Sequence, residues 1–186
     1  MGGLLNVFTA FGLSSSAGLN ANLPLLVVAL LARFTDLVTL SPPWDALESW
    51  WTIGVLAVLL LIEMLVDKVP AVDTANDVIQ TVVRPVAGAV LFAANAGVIG
   101  ETHPVLALIC GLLVAGGVHA AKATARPIIT GTTGGLLNPV VSVVEDVISL
   151  TVALLSILVP ILGVLLLILL VVWFLRRRRR KRVSAV

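Results

Sequence analysis

With 186 residues, 59% of them hydrophobic and 12% charged, and a mean hydropathy of +1.13, the chain is too apolar to be a soluble domain. A soluble domain carries about 25% charged residues, and no single core of this length could bury so much apolar surface, so lipid must be much of the solvent. The net charge of +2 hides two objects: seven of the twelve bases form one run, Arg176–Arg182, and the remaining chain holds five bases against ten acids.

The first apolar stretch, Leu4 to Arg33, is interrupted by polar residues from Ser14 to Asn22. Its two pieces, Leu4–Leu13 and Leu23–Ala32, each fall short of the roughly 20 residues that cross a hydrocarbon core of about 30 Å. The pattern predicts either one broken helix or a re-entrant dip followed by a helix. Irregular backbone at that depth needs protein or water to satisfy it, which draws attention to Asn20. Phe34 to Trp50 contains Asp36, Pro42, Pro43, Trp44, Asp45 and Glu48 and reads as an interfacial loop with an aromatic belt. Thr52–Val66 is a second span, followed by Asp67, Lys68 and a polar junction from Asp73 to Asp77. Val78–Val98 is a third, with Arg84 and Pro85 inside it, and Val105–Ala121 a fourth. Lys122 to Asn138 carries Lys122, Arg126, Pro127 and a Gly/Thr-rich stretch, and reads as a loop.

Pro139 to Leu175 is long enough for a helix of about 55 Å, too long for one perpendicular crossing. Pro160 and Gly163 divide it into spans near 139–158 and 161–175. The expected fold is an all-α, polytopic transmembrane helix bundle of about six spans, or five if that last stretch is one kinked helix. Residues 1–175 form a single membrane domain and 176–186 a basic tail. The positive-inside rule puts the tail in the cytoplasm. Six spans put the N-terminus there too, with the Trp-rich loop on the other face, whereas five would strand Lys122 and Arg126 outside. The adjacent bases anchor topology beside anionic headgroups, at about 1 kcal/mol each, and are no sign of nucleic-acid binding.

Ionisable side chains near the bilayer centre cost about 2.5–3.5 kcal/mol each and normally face protein or a hydrated cavity. Here they fall at helical spacing: Glu63 with Asp67; Asp77, Thr81 and Arg84; His119, Lys122 and Arg126; Asn138, Ser142, Glu145 and Ser149. Together with Asn20, Lys68, Asp73 and Asp146, these groups are the candidate lining of an ion or solute pathway. His119 is a candidate proton-responsive group, since imidazole titrates near pH 6.5. The blander reading is a set of ion pairs between helices, such as Glu63 with His119 or Arg84 with Glu145, with Lys68 and Lys122 snorkelling outward. Pro85, Pro127 and Pro139 beside the charges predict helix breaks, and discontinuous helices build many transporter sites. Residues 76–84 lie over 138–146 in a weak internal similarity that would fit a duplication.

The run Glu63-Met-Leu-Val-Asp-Lys-Val-Pro70, continued by Val72–Asp77 and Val83–Ala89, resembles a widespread bacterial family of small multi-pass membrane proteins classed only as a domain of unknown function. His119-Ala-Ala-Lys122 and Asn138–Asp146 carry the rest of the likeness, which spans most of residues 12–160. The resemblance implies a bacterial inner-membrane protein and no particular chemistry.

Three functions compete. A transporter or channel would pass an ion, a small solute or an anionic lipid. An assembly subunit would pack against a second copy or a partner membrane protein through small residues such as Gly88, Ala89 and Gly111 to Gly117. A lipid-acting enzyme would hold a divalent cation on Asp73, Asp77, Glu63 and Asp67. It would do so without a phosphate loop, a His-Glu-x-x-His pair or a serine-nucleophile motif. No cofactor is expected, and Cys110 alone builds neither a disulfide nor a thiolate metal site.

Overall fold

A computed structural model of the chain describes residues 2–66, 70–97 and 101–159, and for residues 2, 70–75 and 77 the backbone alone. Six α-helices account for most of it: α1 (Gly2–Leu19), α2 (Asn22–Phe34), α3 (Trp50–Val66), α4 (Pro70–Asn95), α5 (Pro104–Thr133) and α6 (Asn138–Val159). A 3₁₀ turn, Trp44–Glu48, precedes α3. Val78–Asn95 within α4, and the whole of α5 and α6, are long and apolar enough to cross a membrane, and α1, α2 and α3 are shorter apolar helices. The molecule is an all-helical membrane bundle. The expected span at 161–175 and the basic tail lie outside the described residues, as do Asp67 and Lys68.

Helix α1 packs against α4, α5 and α6, and its polar residues explain how. The run that predicted a break from Ser14 onward is helical through Leu19. The Ser14 hydroxyl donates to the Gly88 carbonyl (2.8 Å), Ser16 to that of Ser149 (2.7 Å), and Ser15 to Phe11 one turn back (2.8 Å). Each serine thus finds an acceptor without unwinding its own helix, so the break shrinks to Asn20 and Ala21. Backbone contact between α4 and α5 is closest at Gly88 and Gly111. A Cβ on Gly111 would come within 2.7 Å of the Ala89 Cα, and one on Gly88 would collide with the Ala115 Cβ. Small residues at such crossings let helices approach where lipid supplies no hydrophobic drive between them.

The reversal at Asn20–Ala21 sets the topology. Asn6 and Thr9, at the start of α1, share a cavity wall with Leu37–Val38, just beyond α2, and with Ala93–Asn95 at the end of α4. Helix α2 therefore runs back toward the end from which α1 came. The pair is a hairpin that dips into the bundle, not one crossing broken in the middle. This puts the N-terminal end of α1 beside the Trp-rich loop, whereas a single crossing would have put them at opposite ends.

Two expected breaks are absent. Helix α4 runs through Pro85 and takes in the residues read as a polar junction, Asp73 to Asp77. Helix α5 runs through Pro127 to Thr133, so residues 122–133 are helix and not loop. The threonines there bond back into their own helix, Thr132 to the Ile128 carbonyl (2.9 Å) and Thr133 to that of Ile129 (2.7 Å). Neighbouring helices and such hydroxyls compensate for proline in membrane helices. The helix stops where Gly134 takes a left-handed conformation (φ 61°), a C-cap that glycine adopts without strain. Pro139 is the one proline of the three beside a true helix boundary, in the first turn of α6.

Candidate functional site

The tip of the α1–α2 hairpin, Asn20-Ala21-Asn22, sits among charged side chains from four other helices. Two helix ends meet there, and each leaves backbone groups without intrahelical partners. The carbonyl of Leu19, at the negative end of α1, accepts from the Lys122 ammonium at 3.1 Å. Asn20 caps the start of α2, its side-chain oxygen accepting from the Leu23 amide at 3.0 Å. Its amide nitrogen donates to Asp146 Oδ1 at 2.8 Å. Asn22 reaches the other way and donates to Glu63 Oε2 at 3.0 Å. The turn thus fastens to a carboxylate on α6 and to another on α3.

On the α3 side, Glu63 Oε1 takes the Arg84 guanidinium at 3.1 Å, with both side chains almost wholly buried (3% and 1% exposed). Arg84 Nη1 lies 3.3 Å from His119 Nδ1. A guanidinium has donors only, so Nδ1 must accept and His119 is the neutral tautomer protonated on Nε2. That nitrogen faces Thr81 Oγ1 at 3.2 Å and donates to it. On the α6 side, Glu145 Oε2 takes both Lys122 (2.8 Å) and Arg126 (3.0 Å). Lys122 links the halves, since it also holds the α1 end.

Among the described residues, three carboxylates (Glu63, Glu145, Asp146) meet three cations (Arg84, Lys122, Arg126). Buried charges survive only when paired and hydrogen-bonded, and these are. Among the described residues, two buried atoms have no hydrogen-bond partner: Gln80 Oε1 and Arg84 Nε, one turn apart on α4.

Of the predicted pathway residues, the network gathers Asn20, Glu63, Arg84, His119, Lys122, Arg126, Glu145 and Asp146. Ser142 is buried on the same face of α6. Asn138 stands apart at the α5–α6 turn, where Thr130 donates to it at 3.1 Å. Asp67 and Lys68, and the side chains of Asp73 and Asp77, lie outside the described residues. The pairing differs from the one the sequence invited: Arg84 goes to Glu63 rather than Glu145, and Glu145 takes the two bases of α5. Asn22, the Leu19 carbonyl and Gln80 were missed. Asn22 carried a signal, as the last polar residue before an apolar run, but nothing in the chain announced that it would face α3. Among the described residues, no group of three His, Cys, Asp or Glu side chains is placed to hold a metal.

The opposite end of the bundle holds a second polar feature, a cavity of about 480 Å³ under the Trp-rich loop. Fold and site together define a small helical membrane protein built around a dipping hairpin and a network of paired charges at its tip. Residues 7–180 match the family described as a domain of unknown function, DUF4126, and the chain belongs to it. No curated protein and no solved structure matches the chain.

Proposed function

We propose that this protein is a membrane transporter or channel for a small solute or ion, with the network at the hairpin tip as the constriction of its pathway. The observation that carries this reading is the meeting of two helix ends among six charged side chains deep in the bundle. Glu63 lies thirteen residues into α3, so about 20 Å along it from the Trp50 belt at a rise of 1.5 Å per residue. That depth is well inside a core of about 30 Å. A clamp that served stability alone would be as well made from apolar side chains, because desolvating the charges offsets most of their attraction. Paired helix ends beside polar side chains are how many transporters form substrate sites. Gln80 Oε1 and Arg84 Nε add an acceptor and a donor that have no hydrogen-bond partner among the described residues.

The positive-inside rule assigns the network end, with Lys122 and Arg126, to the cytoplasm. The N-terminal end of α1 then lies on the far face with the acidic loop, the reverse of the six-span expectation. We assign the membrane to the bacterial inner membrane, as the family resemblance implies. The test is reconstitution into liposomes with a panel of ions, small solutes and lipids. Wild-type protein should carry a flux that Arg84→Gln with Glu145→Gln abolishes. A flux that survives this double replacement removes the network from the pathway.

A further inference from the structure

The cavity under the loop is lined by Asn6 and Thr9 of α1, Ser41 and Trp44 of the loop, Asn95 at the end of α4, and Glu101. We propose that it is the outer recognition site for a small organic cation carrying an ammonium group. The inference deepens the transport reading by naming the substrate class.

Its volume of about 480 Å³ is in the range of small-molecule sites, which run from about 300 to 1,000 Å³. Among the described residues, Glu101 is the one charged residue in the lining and no base lines it. Arg33, the one base of this end among the described residues, is engaged elsewhere. Its Nη1 donates to the Glu48 carbonyl at 2.7 Å and its guanidinium stacks over the Trp50 ring at 4.4 Å. Asp36, Asp45, Glu48 and Glu101 stand against Arg33 alone, so the described residues of this end sum to −3 with His103 neutral. A concave surface with one sign of charge concentrates counter-ions and repels anions.

The remaining groups suit an organic cation better than a metal ion. Metal ions need several oxygens converging at about 2.0–2.6 Å, whereas the described lining holds a single carboxylate, and no group of three His, Cys, Asp or Glu side chains is placed to hold a metal among the described residues. Trp44 brings an aromatic ring to the lining, and aromatic rings attract ammonium groups held over their face within about 6 Å. Asn95 donates its side-chain nitrogen to the Leu91 carbonyl at 2.9 Å, which leaves its amide oxygen to accept from a ligand N–H.

The experiment is calorimetric titration of the purified full-length protein in phosphatidylglycerol nanodiscs with choline, with putrescine, and with 3,3-dimethylbutanol, the uncharged isostere of choline. Choline or putrescine should bind, and the isostere should not. Glu101→Gln should weaken binding about tenfold, a loss of 1.4 kcal/mol, and Trp44→Leu should weaken it too, while Glu48→Gln changes nothing. Nanodiscs containing phosphatidylethanolamine separate two sources of the ammonium group: competition with added choline assigns the site to a lipid headgroup, and its absence to a free amine. Equal binding of the isostere, an unchanged Glu101→Gln affinity, or no binding of either amine overturns the proposal. Amine binding that fails alongside an intact flux of another solute removes this inference alone. Amine binding without any flux removes the transport reading and keeps the site.

Discussion

The two polar ends of the bundle handle charge in opposite ways. At the hairpin tip, the described carboxylates and cations are drawn together and paired or hydrogen-bonded within the protein. At the end with the Trp-rich loop, the described residues hold four acids and one base, and Glu101 lies exposed at the wall of an open cavity. The difference is one of solvent. Where lipid surrounds the helices, an unpaired charge costs several kcal/mol, so every charge must find a partner within the protein. At the membrane surface, water pays that cost, and charge can be left unmatched to act at a distance. Mutations should therefore disturb folding at the first end and recognition at the second.

The largest expected effect comes from Arg84→Leu, which strands the buried Glu63 carboxylate. It should destabilise the protein by about 3–5 kcal/mol, read as a fall in melting temperature in detergent. Adding Glu63→Leu should restore much of that loss, since the second change removes the orphaned charge; a double variant no better than the single would mean that Arg84 acts mainly through His119. Lys122→Met should cost less, about 1.5–3 kcal/mol, because Arg126 still holds Glu145. The same melting assay checks it, and a loss matching that of Arg84→Leu would show that the bond to the Leu19 carbonyl dominates. Gly88→Val tests the packing beneath both ends. A branched side chain there meets Ala115 and the Gly111 carbonyl, and overpacking of this kind costs about 1–3 kcal/mol. Asn20→Ala removes a cap worth about 1 kcal/mol and the bond to Asp146. Limited proteolysis should detect a loosened α1–α2 turn before the melting curve moves far. The smallest effect on stability belongs to Glu101→Gln, whose melting temperature should match wild type even as ammonium binding weakens. A large shift there would erase the contrast between the two ends.

Much of this architecture could be read from residue order. The apolar stretches near 52–66, 78–98, 105–121 and 139–158 appear as helices α3 to α6, of which α4, α5 and α6 are long and apolar enough to cross a membrane, because a backbone in lipid must close its own hydrogen bonds and helices do so locally. The stripes carrying Glu63, Arg84, His119, Lys122, Arg126 and Glu145 converge, because spacing of three or four residues fixes which side chains share a face. Helix ends were harder. Pro85, Pro127 and the serines of α1 suggested breaks, but a break depends on whether a neighbour can satisfy the freed groups. That information is in another helix: Gly88 for Ser14, and Ser149 for Ser16.

The sequence by itself determined that this is a membrane bundle, and that its charges lie on helical faces, since both follow from composition and from a period of 3.6 residues. Only the tertiary structure decided that α1 folds back into α2, that Glu63 takes Arg84 while Glu145 takes Lys122 and Arg126, and that the far end opens into a cavity. These are matters of which helix stands beside which. Between helices of equal hydrophobicity, that choice rests on close-packed glycines and a few hydrogen bonds, which a linear pattern of apolar residues does not record.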